Sequence, residues 1–94
     1  MNEKIVRRME RIFKGAGNHY RIRILMLLSE NTDYSLWAIS QRLNADFRTI
    51  SGHTDRLKRA GLIEKRHIGQ TVYHELTPYG EKILEFIKKL NSQA

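Results

Sequence analysis

Cysteine is absent from the chain, and its absence excludes a disulfide framework, a thiolate nucleophile and any cysteine-bound metal. Long hydrophobic runs are missing as well: the longest, Ile24 to Leu28, is far too short to cross a bilayer. Met1 runs into Asn2, Glu3 and Lys4 with no apolar stretch of the signal-peptide kind, so the expectation is a cytoplasmic protein with no membrane partner. Proline occurs once and glycine six times, which makes each of these breaks informative. The patterns of catalysis are lacking too. There is no nucleophile–base pair, no motif-placed pair of carboxylates and no phosphate-cradling glycine loop. Gly15-x-Gly17 has neither the further glycine nor the preceding strand of a dinucleotide site. No enzyme, catalytic residue or cofactor is expected.

What the chain does have is positive charge. Its 94 residues carry a net charge of +7, a balance that favours polyanionic partners, chiefly nucleic acid. The charge is concentrated. Arg7, Arg8, Arg11, Lys14, Arg21 and Arg23 form one run, and Arg56, Lys58, Arg59, Lys65 and Arg66 form another. In the last third, Glu75, Glu81 and Glu85 nearly balance Lys82, Lys88 and Lys89. No repeat, low-complexity tract or linker interrupts the chain, so residues 1–94 read as one domain.

Apolar periodicity places the elements. Ile5, Val6, Met9, Ile12 and Phe13 mark one face of a helix over about 2–14, and Gly15 and Gly17 bracket a break after it. Asn18 caps a second, largely buried helix carrying Ile22, Leu25, Met26 and Leu28. A polar turn with a possible single bridge at Tyr34 follows, and Ser35 caps a third helix burying Leu36, Ile39 and Leu43. After a short turn at Asn44-Ala45, Asp46 caps a fourth helix that runs to Ala60 and stops at Gly61. Leu62 to Arg66 favours a strand, Ile68-Gly69-Gln70 a turn, and Thr71 to Leu76 the returning strand. Thr77-Pro78 starts a last helix over 78–91 with Ile83, Phe86, Ile87 and Leu90 on one face. The fold is mainly α with a small β-hairpin. Its order, α-α-α-turn-α-β-β-α, is the plan of a winged helix-turn-helix.

If the fourth helix packs through Ile50 and Leu57, it exposes Phe47, Arg48, Thr49, Ser51, Gly52 and Asp55. Arg48 can donate twice to a guanine, Thr49 and Ser51 can bond base or phosphate, and Phe47 can meet a thymine methyl or pack on its neighbour helix. Gly52 either lets DNA approach the backbone or is merely tolerated. Arg56, Lys58 and Arg59 favour the helix dipole in any protein, but they coincide with Lys65, Arg66 and His67 on the hairpin, which are placed to meet phosphates. The candidate DNA-binding set is Phe47, Arg48, Thr49, Ser51, Gly52, His53, Arg56, Arg59, Lys65, Arg66 and His67.

Over most of its length, from about Asn18 to Pro78, the chain resembles the ArsR-type winged-helix transcriptional repressors. The resemblance rests on Arg21-Ile22-Arg23-Ile24-Leu25, the helix-turn-helix from Ile39 to Leu57, Leu57-Lys58-Arg59-Ala60-Gly61-Leu62-Ile63, and Val72-Tyr73-His74-Glu75-Leu76-Thr77-Pro78. It implies a regulator that binds operator DNA as a homodimer, typically through its first and last helices, and releases it on binding a metal or other effector. Thr49-Ile50-Ser51 falls where the family has Thr-Val-Ser, which assigns base reading to Thr49 and Ser51. His53 matches the family's histidine, whereas Gly52 replaces a polar side chain, often another histidine. Two family switches lack their ligands: Ser35 and Trp37 stand at the cysteine positions of the thiolate sensors, and 78–94 holds no histidine for a last-helix metal site.

His19, His53, His67 and His74 show no metal-site spacing and read as scattered surface or hydrogen-bonded groups. Trp37 and Tyr34 read as packing between the third helix and its neighbours rather than as a ligand pocket. The apolar faces of the terminal helices suggest a two-fold homodimer through Ile5, Met9, Ile12, Phe13, Ile83, Phe86, Ile87 and Leu90. The expected partner is double-stranded DNA, no effector is identifiable, and the rival reading is a winged-helix module for protein–protein contact within a larger transcription or repair assembly.

Overall fold

The computed structural model describes residues 1–93 as α1 (Glu3–Ala16), α2 (His19–Glu30), β1 (Tyr34–Ser35), α3 (Leu36–Leu43), α4 (Phe47–Arg59), β2 (Ile63–Ile68), β3 (Thr71–Leu76) and α5 (Pro78–Gln93). Each helix starts on a polar side chain that accepts a hydrogen bond from an otherwise unpaired first-turn amide. Asn2 accepts from Ile5, Asn18 from Tyr20 and Arg21, Ser35 from Ala38, Asp46 from Thr49, and the Thr77 hydroxyl from Gly80. Asn44, at φ 49°, turns the chain between α3 and α4, and Gly61, at φ +78°, follows the end of α4.

The break bracketed by Gly15 and Gly17 comes at the second of them, and the helix ends two residues beyond the expected 14. α1 continues to Ala16 and ends on Gly17, whose amide donates to the Phe13 carbonyl. Gly15 is glycine because α1 crosses the end of α4 there: a Cβ at this position would overlap the Ala60 methyl.

α2 is the centre of the domain, packed against α3, α4, α5 and β3. Ile24 and Leu25 from α2, Ile39, Ile50, Leu57 and Leu62 are fully buried. At roughly 1.5–3 kcal/mol per buried side chain, these six contribute on the order of 9–18 kcal/mol toward offsetting chain entropy. Met26, read as buried, is instead 48% exposed, because α2 turns its Ile24, Leu25, Leu27 and Leu28 inward. Trp37 is a larger departure. It is 64% exposed, since Leu36, Ile39 and Leu43 form the inward stripe of α3 and Trp37 falls outside it.

The sheet has the order β1-β3-β2, all antiparallel. Lys65 faces His74 and His67 faces Val72 across the β2–β3 pair, which closes at Ile68 and Thr71. Of the two connecting residues only Gly69 has a positive φ, +61°, the pattern of a type II′ hairpin turn. The short β1 strand adds Tyr34 opposite His74, so the hairpin is anchored to the start of α3.

Candidate nucleic-acid interface

α4 buries Ile50, Thr54 and Leu57, and the Thr54 hydroxyl is satisfied by the Ser51 carbonyl at 2.9 Å. The opposite side of the helix is open. Phe47, Arg48, Thr49, Gly52, Asp55, Arg56 and Arg59 are exposed and Ser51 is half-buried. Nothing lies within 4 Å of where a Gly52 side chain would begin, so no contact inside the chain requires glycine there.

His53 is turned the other way. Its Nδ1 lies 3.0 Å from Arg21 Nη1, and its ring is 5.3 Å from that of Tyr20. Guanidinium can only donate, so Nδ1 accepts and the imidazole is neutral in this arrangement. Burial, followed by the charges of Arg21, Arg56 and His19, pushes its pKa below the ordinary histidine value. The structure thus brings the first-turn residues of α4 together on one surface and directs His53 back into the protein.

Arg21 itself belongs to the interior. It is only 7% exposed, and its guanidinium donates to the carbonyls of Gly15, at 2.6 Å, and Lys14, at 3.3 Å. It closes the C-terminal end of α1 and is not part of the surface run of charge in which the sequence displays it. Burial and the nearby Arg56 lower its pKa.

On the wing, strand alternation sends neighbouring cations to opposite faces. Lys65 lies toward α4, 3.2 Å from Asp55. Arg66 lies on the other face, 3.5 Å from Asp33, 3.3 Å from the Thr32 carbonyl, 3.9 Å from Glu75, and over the Tyr73 ring. Both cations therefore hold the wing to the rest of the chain, whereas His67 and Ile68 are exposed toward its tip. His74, at the base, is 2% exposed, donates from Nδ1 to the Tyr34 carbonyl at 3.0 Å, and has its pKa lowered mainly by burial. Trp37, Phe47, His67 and Val72 line an open groove of about 480 Å³ between the starts of α3 and α4 and the wing. The exposure of Trp37 beside this surface was missed on the sequence, although the inward stripe of α3 already excluded it.

The terminal helices meet through Phe13 and Phe86, edge to face at 6.3 Å. Val6, Phe13, Tyr79, Phe86 and Leu90 remain exposed there, with Ile5, Met9 and Ile87 half-buried. Ile12 and Ile83, expected on a dimer face, are 6% and 7% exposed and serve the core of the protomer. Among the described residues, no three His, Cys, Asp or Glu side chains gather closely enough to hold a metal ion. No described helix is long and apolar enough to cross a membrane.

Proteins of known class share this chain's sequence across most of its length. It is 32% identical over 84 residues to the transcriptional activator HlyU of Vibrio cholerae, covering 88% of this chain and 77% of that protein. It is 34% identical over 77 residues to an HTH-type transcriptional regulator of Methanocaldococcus jannaschii, covering 82% and 84%. The chain belongs to the ArsR-type winged helix-turn-helix transcriptional regulators. The solved structure of V. cholerae HlyU superposes at a TM-score of 0.83 with 29% identity, over 95% of this chain and 97% of that one. A homodimeric winged helix-turn-helix DNA-binding domain of Mycobacterium bovis, described as a possible ArsR-family regulator, reaches 0.88 over 99% and 89%, and at 21% identity it supports the fold alone. No family model matches the chain. As an ArsR-type regulator, the chain presents α3 and α4 as its helix-turn-helix and β2–β3 as its wing.

Proposed function

We propose that this ArsR-type regulator binds duplex DNA sequence-specifically as a two-fold homodimer in the cytoplasm and represses transcription by occupying its operator. The reading is carried by the outward face of α4, where Arg48, Thr49 and Ser51 surround a Gly52 whose outward side is open space. The first turn of such a helix reaches base edges in the major groove, where an arginine can bind guanine O6 and N7 together. Arg56 and Arg59 lie farther along the same helix for backbone phosphates, and His67 is an exposed wing group that can meet flanking DNA. Lys65 and Arg66 support this surface by fixing the wing to Asp55 and Asp33. A two-fold axis between the terminal helices, through Phe13, Phe86 and Leu90, would present two copies of α4 to successive major grooves.

The repressor role rests on the family resemblance, while the V. cholerae relative bears the name of an activator. A reporter gene placed behind the selected operator decides the sign: repression predicts higher expression when the regulator is deleted. Lacking the ligands of the two metal switches considered above, the protein is read as responding to another signal.

Selection from a random duplex pool, followed by titration of the enriched sequence across salt, tests the DNA reading. A palindrome should be enriched, and affinity should fall steeply as salt rises. No enrichment together with salt-insensitive binding would favour the protein–protein module instead.

A further inference from the structure

The C-terminal ends of α1 and α4 enclose a second basic feature, distinct from the first turn of α4. Arg11 and Lys14 from α1, Arg21 from α2, and Arg56 and Arg59 from α4 line an open cleft of about 290 Å³. Its floor is Gly15 against Ala60, where any larger side chain on α1 would collide. No carboxylate lines it. Lys14 has a partner, Glu10, at 3.7 Å on its own helix, whereas Arg11, Arg56 and Arg59 form no ion pair among the described residues.

Helix dipoles explain cations near helix ends in general. They account for Arg56 and Arg59 in the last turn of α4, but not for the surface cations at the end of α1, where Arg21 already satisfies the carbonyls of Lys14 and Gly15 from inside. The remaining cations come from separate helices and converge on one cleft. Like charges brought together in this way repel, and an anion in the cleft would reverse the sign of that interaction. Phosphate fits the chemistry, since arginine offers paired donors to its oxygens and lysine a mobile point charge.

We propose that the α1–α4 cleft is a phosphate-binding site, taking either a phosphate of flanking DNA or the phosphates of a small anionic ligand. The DNA source rests on the function proposed above; the small-ligand source stands without it. α4 is 13 residues, roughly 20 Å, long, so this site sits far along the helix from its base-reading turn. An occupant would join α1, a terminal helix of the proposed dimer, to the helix that reads DNA. It would also be sensed by His53, which lies against Arg21 with Arg56 and His19 nearby, all of which disfavour its protonation.

Calorimetric titration of the DNA-free protein with inorganic tripolyphosphate tests one source, and duplex binding across salt tests the other. Both are run on the wild type, on Arg11→Gln/Lys14→Gln, and on Lys88→Gln/Lys89→Gln as a charge-matched control on α5, which contributes nothing to the cleft lining. These side chains are exposed, and circular dichroism verifies folding. A small-ligand site predicts saturable tripolyphosphate binding that is about tenfold weaker in the cleft double variant and unchanged in the control. It also predicts an upward shift of the His53 titration, read by NMR, when tripolyphosphate is added. A DNA source predicts a salt slope shallower by about 1–2 in the cleft double variant alone. The proposal is overturned if tripolyphosphate binds unsaturably or equally to all three proteins while the duplex salt slopes coincide. Tripolyphosphate binding that needs the cleft, in a protein with no duplex affinity, would remove the DNA reading and leave the site standing.

Discussion

Arg48 stands on the exposed first turn of α4, in no ion pair among the described residues. Its removal should therefore act on DNA and not on the fold. Arg48→Ala is expected to reduce discrimination between operator and scrambled duplex by roughly 1–3 kcal/mol, measured by competition anisotropy, with thermal stability unchanged. Equal loss on both duplexes would make it a phosphate contact. Arg21 is the opposite case. Arg21→Met leaves the Lys14 and Gly15 carbonyls and the His53 ring without their donor, at a cost of about 2–3 kcal/mol in urea unfolding. The histidines add a pH dependence with a definite sign. The pKa values of His53 and His74 lie below the ordinary 6.5 in the folded chain, so the unfolded chain takes up protons first as pH falls. Their stabilising contribution is complete above about 6.5 and declines below it, until the lower folded values are passed. Urea midpoints at pH 7.5, 6.5 and 5.5 should fall in that order, and His53→Gln should flatten part of the slope. A wild-type midpoint constant across this range would contradict the sign.

Among the elements, α4 is where stability and binding oppose each other. Gly52→Ala places a methyl in open space on an exposed helix interior, which should raise stability by up to about 1 kcal/mol. If DNA approaches the backbone there, the same methyl should weaken operator affinity, so a higher melting temperature with poorer binding is expected. Unchanged binding would make Gly52 merely tolerated. The helix itself was readable because both ends are written locally, in the Asp46 cap and in Gly61. The starts at Asn18, Ser35 and Thr77 were legible for the same reason. Features set by another element were not. Gly15 reads as one edge of a break until Ala60 is placed against it, and Arg21 reads as surface charge until α1 ends beside it. The alternation that puts Lys65 and Arg66 on opposite faces was present in the strand, but Asp55 and Asp33, which engage them, lie 10 and 33 residues away. Trp37 was misplaced because tryptophan's usual burial outweighed a helical stripe that excluded it.

At the scale of the whole molecule, the terminal helices carry an exposed apolar cluster. Phe13, Phe86, Leu90 and Val6 are all about half-exposed, and a cluster of large apolar side chains on so small a domain marks an interaction surface. Ile12 and Ile83 beneath it are already used by the core, so the surface can be altered without unfolding the protomer. Phe86→Glu removes the edge-to-face contact with Phe13, costing only about 0.5–1.5 kcal/mol, but places a charge on the proposed two-fold face. Sedimentation should show a dimer for the wild type at tens of micromolar and a folded monomer for Phe86→Glu. The monomer keeps one α4 and one wing, so it should still bind a half-site weakly while losing the joint engagement of two half-sites, about 34–36 Å apart. On a full palindrome its affinity should therefore drop far more than on a half-site. A wild type that sediments as a monomer and binds both duplexes equally would mean that this face has another partner and that the second half-site is not read.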